Sequence, residues 1–225
     1  MIPSAFDYLA PTTLDEALSA LAEAGDEGKI IAGGQSLLPV MRLRLAAPEM
    51  VIDLGRITEL RGVHDDGEAI VIGAMTPHHV VAGDPLVAEH AALIAKATET
   101  VADPQVRHRG TFGGAVVHAD PAGDLHAPAL ALDAEFEIAG PGGRRTVPAA
   151  EFYVDLFTTA VGEDEILTSV RVPKTTGWGA DYQKFTRVKQ QWSIVGVAAA
   201  IRVDGDSIAE ARIGLTNMGS TPIRA

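Results

Sequence analysis

Residues 29–45, KIIAGGQSLLPVMRLRL, set a short apolar run directly against a glycine pair and then against a helical pattern. Strand, glycine pair, helix is a unit with few conformational options. Paired glycines let the backbone turn sharply and bring successive N–H groups to a neighbour with no Cβ in the way, and the helix start adds its positive dipole end. The same order returns at Thr111-Phe112-Gly113-Gly114, where a polar stretch gives way to Ala115-Val116-Val117 and a predicted helix. A chain organised around two such units is a mixture of short strands and helices, without the regular strand and helix alternation of a doubly wound fold.

The remaining pattern fits that frame. Thr13 and Glu16 are spaced as a capping box ahead of Leu14, Ala17, Leu18 and Leu21, with Gly25 as the stop. Lys29 to Ala32, Met50 to Leu54 and Ala69 to Ala74 read as strands, and Leu38 to Leu45 as a helix. Thr76-Pro77 is a helix start with Thr as cap, and His78-His79 then lies at a solvated helix start. One helix is predicted from about Pro85 to Thr100, followed by a polar break from Asp103 to Arg109 and, further on, an Ala/Leu helix to about Leu132. Ala134 to Ala139 and Arg144 to Val147 flank Pro-Gly-Gly as a hairpin, and Ile166 to Val172 is a further strand. Pro173 to Gly179 is the best boundary. Beyond it Tyr182 to Val188, Ser193 to Val203 and Ile208 to Leu215 alternate as an antiparallel meander. The class is α+β. Three strands with one open face are marginal alone, so this last part is expected to need a partner or more chain.

Composition removes several functions. The formal net charge of -12 disfavours nucleic acid, whose phosphates need a basic surface. With no cysteine, disulfides, thiol nucleophiles, Cys-ligated zinc and iron–sulfur clusters are excluded from this chain, which fits the cytoplasm. No signal pattern or membrane-length apolar run occurs, so a soluble chain is expected.

The chemistry has sharp and bland readings. Each glycine pair is either an anion-binding turn, with Gln35, Ser36 and Thr111 as added donors, or a structural turn. GxGxxG and GxxxxGK[ST] are both absent, which disfavours a Rossmann site and a P-loop. HADPAGDLH brings His118, Asp120, Asp124 and His126 close in sequence, but Pro121 and Gly123 interrupt the helical spacing that would align metal ligands. A loop in which Asp124 accepts hydrogen bonds from a ligand or caps a helix is the preferred reading. On spacing alone, Lys184 and Arg187 belong to a solvated strand face.

Taken together, KIIAGGQSLLPVMRLRLAAPEMVIDLGRI, RHRGTFGGAVVHADPAGDLHAPALAL, EILTSVRVP and YQKF resemble the FAD-binding medium subunits of molybdenum hydroxylases, the group of aerobic carbon monoxide dehydrogenase and xanthine dehydrogenase. The resemblance implies a flavin-binding fold of the vanillyl-alcohol oxidase type, with two α+β subdomains at 1–55 and 56–175 and a carboxy-terminal domain at 176–225 that looks incomplete. It implies FAD held by Ala32, Gly33, Gly34, Gln35, Ser36 and Leu37 and by Thr111, Gly113 and Gly114, with Lys29 on the strand leading in. His118 and Asp120 join the cofactor set, with Asp124 near the adenosine, Leu167 by the adenine or ribose and Lys184 near the isoalloxazine. No residue of this chain is assigned to catalysis. Ala115 stands where relatives often carry Asn or Ser, and His126 where Pro is frequent.

The implied function is electron transfer from [2Fe–2S] clusters through FAD to quinone, NAD or oxygen. A large molybdenum-cofactor subunit and a small iron–sulfur subunit would be the partners, as a dimer of heterotrimers at most peripherally associated with membrane. The alternatives are a stand-alone flavin oxidoreductase of the same fold and an FAD-free module.

Overall fold

Alternation and capping chemistry account for most of the elements in the computed structural model, which describes residues 2–225. Asp7–Leu9 (β1), Gly28–Ile31 (β2) and Met50–Asp53 (β3) form a parallel sheet in the order β1-β3-β2, with Leu14–Ala24 (α1) and Leu37–Arg42 (α2) as its helices. Thr13 Oγ1 accepts the Glu16 N–H at 3.2 Å, so α1 starts where its cap lies. The Glu16 carboxylate reaches back mainly to the N–H and hydroxyl of Thr12, with the Thr13 N–H a weaker contributor. Leu14, Ala17 and Leu21 face inward and share a small core with Ile52, Ile57 and Leu60.

The central layer is antiparallel. Its elements, in chain order, are Val63–Asp65 (β4), Ala69–Gly73 (β5), the helices His78–Gly83 (α3), Pro85–His90 (α4), Ala92–Glu99 (α5), Pro104–Arg109 (α6), Phe112–His118 (α7) and His126–Ala131 (α8), then Glu135–Gly140 (β6), Gly143–Pro148 (β7), Ala149–Phe152 (α9), the small hairpin Tyr153–Asp155 (β8) with Thr158–Thr159 (β9), and Ile166–Pro173 (β10). The strand order is β4-β5-β10-β6-β7. Val170 on the central strand pairs with Ile72 on one side and Phe136 on the other, and all three are fully buried under the helices with Leu93, Ile94 and Phe112. Phe136 stacks on Phe152 with ring centres 3.8 Å apart. The other face of this sheet is charged. Arg171 bridges Asp66 and Glu135, and Arg144 pairs with Glu137 around a polar basin of about 360 Å³.

Gly179–Phe185 (β11), Val195–Asp204 (β12), Ser207–Thr216 (β13) and Ile223–Arg224 (β14) make the last sheet, in that order. Tyr182, Ala198 and Gly214 lie in register on its inner face, which packs on α5 and α8. A Cβ on Gly214 would stand 2.4 Å from the Ala127 carbonyl oxygen, so glycine is what lets β13 lie on α8. The sheet therefore has a fourth strand and one face covered within this chain, where three strands in need of a partner or more chain were expected.

Other expectations also change. The helix predicted over 85–100 breaks at Ala91 (φ -142, ψ 49), because the Thr175 N–H and hydroxyl take the carbonyl of His90. Thr76 is not a cap: its hydroxyl exchanges hydrogen bonds with both backbone groups of Gly62, and α3 starts from Pro77 without a side-chain cap. The polar break at 103–109 is a helix, capped by Asp103 Oδ1 on the Val106 N–H with Pro104 in its first turn. His78 is buried, not solvated, and its neighbour His79 stacks on His108 at 4.0 Å.

Candidate cofactor site

The two glycine segments meet. β2 delivers Gly33 against the end of α6, where an ideal Cβ would lie 2.2 Å from the Arg109 carbonyl oxygen and 2.6 Å from Gly110 Cα. Gly34 follows with φ +74, a conformation that favours glycine. Across the junction, a Cβ on Gly114 would sit 3.2 Å from Ala32 Cβ and 2.8 Å from Thr111 Oγ1. The second segment is held from behind: the His78 N–H donates to Gly110 O, the Phe112 N–H to Thr76 O and the Gly113 N–H to Ala74 O. Gly113 is therefore a packing glycine against Ala74, while Gly114 is the one that faces Ala32.

The donor set suits a phosphate. Among the described residues the N–H groups of Gly33, Gly34, Gln35 and Ser36 donate to no backbone carbonyl. They stand at a helix start next to a backbone surface that no side chain fills. Thr111 Oγ1 accepts from the Gly114 N–H at 3.1 Å and keeps its own O–H to give. Leu37 opens α2, and Lys29 is exposed on β2 opposite Val51. A pyrophosphate fits a cradle of this make-up: small residues, unspent amides and one hydroxyl.

The segment after α7 is a tight polar turn. Asp120 Oδ1 accepts from the Ala122 N–H, and the half-buried His118 ring lies 5.2 Å from Phe157. Burial lowers the pKa of His118, with Asp120 opposing it. His126 is fully buried against Tyr153, its Nε2–H directed at Ala115 O at 3.2 Å, and desolvation lowers its pKa to about 4. Ala115 and His126, the two positions expected to differ from the family, are thus hydrogen-bonded to each other. Among the described residues no three His, Asp or Glu side chains are arranged to hold a metal ion.

Asp124 and Lys184 come together directly. Lys184 Nζ lies 2.7 Å from Asp124 Oδ2, with 8% and 4% of the side chains exposed. Lys184 is therefore neither solvated nor distant from Asp124. Asp124 also accepts from the hydroxyls of Tyr182 (2.9 Å) and Ser193 (2.8 Å), and Lys184 donates to Thr100 O at 3.1 Å. Burial pushes the Asp124 carboxyl up, while Lys184 and the two hydroxyls pull it back. Tyr182 is legible from the sequence, since it shares a strand face with Lys184 at i, i+2 spacing. Ser193 carries no such signal. Leu167 sits within the main core on β10.

The fold and the paired loops define an FAD-binding subunit of an oxidoreductase. Residues 4–175 match the FAD binding domain in molybdopterin dehydrogenase, and residues 180–225 the CO dehydrogenase flavoprotein C-terminal domain. The carbon monoxide dehydrogenase medium chain of Hydrogenophaga pseudoflava is 43% identical over all of this chain and 78% of its own length, and the glyceraldehyde dehydrogenase medium chain of Sulfolobus acidocaldarius is 35% identical over all of this chain and 80% of its own. Among solved structures, carbon monoxide dehydrogenase from H. pseudoflava superposes with a TM-score of 0.97 at 43% identity, and quinoline 2-oxidoreductase from Pseudomonas putida 86 with 0.94 at 32%. Each covers the whole chain and 78% of its own. The chain belongs to the family of FAD-binding medium subunits of molybdenum hydroxylases, the family of the carbon monoxide dehydrogenase medium chain. Among the described residues no helix is long and apolar enough to cross a membrane.

Proposed function

We propose that Ala32 to Leu37, Thr111 and Gly114 hold the pyrophosphate of FAD, with Gly113 seating the second loop against Ala74, and that the chain serves a cytoplasmic molybdenum hydroxylase as its electron-transfer subunit. The contact of Gly33 with Arg109 and Gly110 carries this reading, because it places unspent amides beside a surface where no side chain fits. Lys29, His118, Asp120, Asp124, Leu167 and Lys184 complete the cofactor surroundings. Residues 1–55 and 56–175 are the two halves of the FAD-binding part and 176–225 the carboxy-terminal domain, in keeping with sheets confined to 7–53, 63–173 and 179–224.

FAD, when bound, supplies a centre that accepts electrons and passes them to an acceptor. The protein's own share is to bind it through backbone amides and exclude water with its buried polar groups. With no cysteine in the chain, [2Fe–2S] clusters have to come from a small partner subunit, and the molybdenum cofactor from a large one, in a dimer of heterotrimers. Relatives named for different substrates match the whole of this chain, which fits a substrate site located on another subunit.

The test is reconstitution of the purified chain with FAD at micromolar concentration. A flavin absorbance spectrum that stays with the protein through gel filtration and is released on denaturation is expected. A colourless chain would overturn the reading.

A further inference from the structure

Asp124 collects three donors from the far side of a domain boundary. Two of them, Lys184 and Tyr182, come from β11, and the third is Ser193 at the end of the 186–194 segment that joins β11 to β12. The segment is pinned there a second time, because Asn217 Nδ2 donates to Ser193 O at 2.9 Å and to Ile194 O at 3.2 Å, and the Ile194 N–H to Phe185 O at 2.9 Å. Its middle is open to solvent and carries Arg187, Lys189 and Trp192, the last 56% exposed. Asp124 itself belongs to the short connection between α7, whose first turn holds Gly113 and Gly114, and α8.

A buried ion pair contributes little net stability, since desolvating two charges offsets most of their attraction. Its geometric effect is larger. One carboxylate that satisfies an ammonium and two hydroxyls from another domain fixes the register between the two parts, and each donor removed leaves the others with a poorly satisfied charge.

We propose that Tyr182 and Ser193 are positioning residues: acting through Asp124, they latch β11 and the 186–194 segment onto the connection that follows α7, and this latch governs how long FAD stays bound. The inference rests on the FAD reading above. Neither hydroxyl has to touch the cofactor.

The experiment uses the full chain loaded with FAD, and Ser193→Ala, Tyr182→Phe and Ser193→Thr. Three quantities are read: tryptic cleavage after Arg187 and Lys189, the rate of FAD release into a large excess of apo-flavodoxin as trap, and the melting temperature. Loss of one hydrogen bond to a charged group predicts cleavage and release each faster by about tenfold in Ser193→Ala and Tyr182→Phe. Ser193→Thr, which keeps the hydroxyl, is expected near wild type, and melting temperatures should stay within about 5 °C. Wild-type cleavage and release in both hydroxyl-deleted variants would overturn the latch. So would faster release that Ser193→Thr does not rescue, since shape and not the hydrogen bond would then be responsible. Failure of the wild-type chain itself to hold FAD would overturn the underlying reading, an outcome visible before any variant is made.

Discussion

Gly33 and Arg109 touch backbone to backbone: the position a Gly33 side chain would take is 2.2 Å from the Arg109 carbonyl oxygen. This contact joins the end of β2 to the end of α6 and brings together the two turns proposed to hold the pyrophosphate.

Gly33→Ala should therefore be enough to separate the loops. No real Cβ tolerates a 2.2 Å contact with backbone, and relieving it moves one loop away from the other. Flavin content after reconstitution is expected to fall to background, with a stability loss of about 1–3 kcal/mol by denaturant unfolding, the range for overpacked sites. Gly114→Val should also lose flavin. Gly62→Ala gives the contrast, because nothing lies within 4 Å of that site and its cost comes from a φ of +104 alone.

Acid should unfold the chain early. His78 and His126 are buried neutral, with pKa values of about 4 set first by desolvation, against about 6.5 in an unfolded chain. The unfolded state therefore takes up protons first. Stability is complete above about pH 6.5 and is lost as pH falls toward 4, by on the order of 3 kcal/mol per histidine. Urea midpoints measured from pH 7.5 to 4.5 should show this slope, and His126→Gln should flatten it. A midpoint independent of pH over that range would contradict the buried neutral assignment.

The Asp124–Lys184 pair makes an asymmetric prediction. Lys184→Met removes the ammonium and leaves a buried carboxylate, which costs roughly 3–5 kcal/mol. The double variant Asp124→Leu with Lys184→Met should recover much of that loss. Chemical denaturation of the two single variants and the double variant gives the coupling directly, and strictly additive losses would show that the pair does not interact.

Tyr153 offers a stabilising change. Its hydroxyl is buried with no hydrogen-bond partner among the described residues, and burial alone raises its pKa well above the usual tyrosine value. Tyr153→Phe removes an unsatisfied polar group while keeping the ring against Phe136 and Phe152. A gain of about 1 kcal/mol is expected in thermal unfolding.

Much of the architecture is written in contiguous residues. The alternation around Asp204-Gly205-Asp206 specifies the β12–β13 hairpin, Thr13 starts α1, and the glycine pairs mark the turns at Gly33-Gly34 and Gly113-Gly114, because each depends on backbone angles and neighbours a few residues apart. Asp103-Pro104 is a helix start of the same local kind, masked by the polar residues that follow it.

What the sequence by itself determined, then, is many of the longer strands and helices, the glycines at the turns and the absence of any cysteine that could carry a cluster. Tertiary structure decided the rest: that Thr175 breaks the helix at Ala91, that His78 is buried behind Gly110, and that Lys184 reaches Asp124 from another domain. Such pairings depend on which surfaces pack together across long stretches of chain. A side chain's own neighbours in sequence carry no record of whether it will meet water, a carbonyl or a charge.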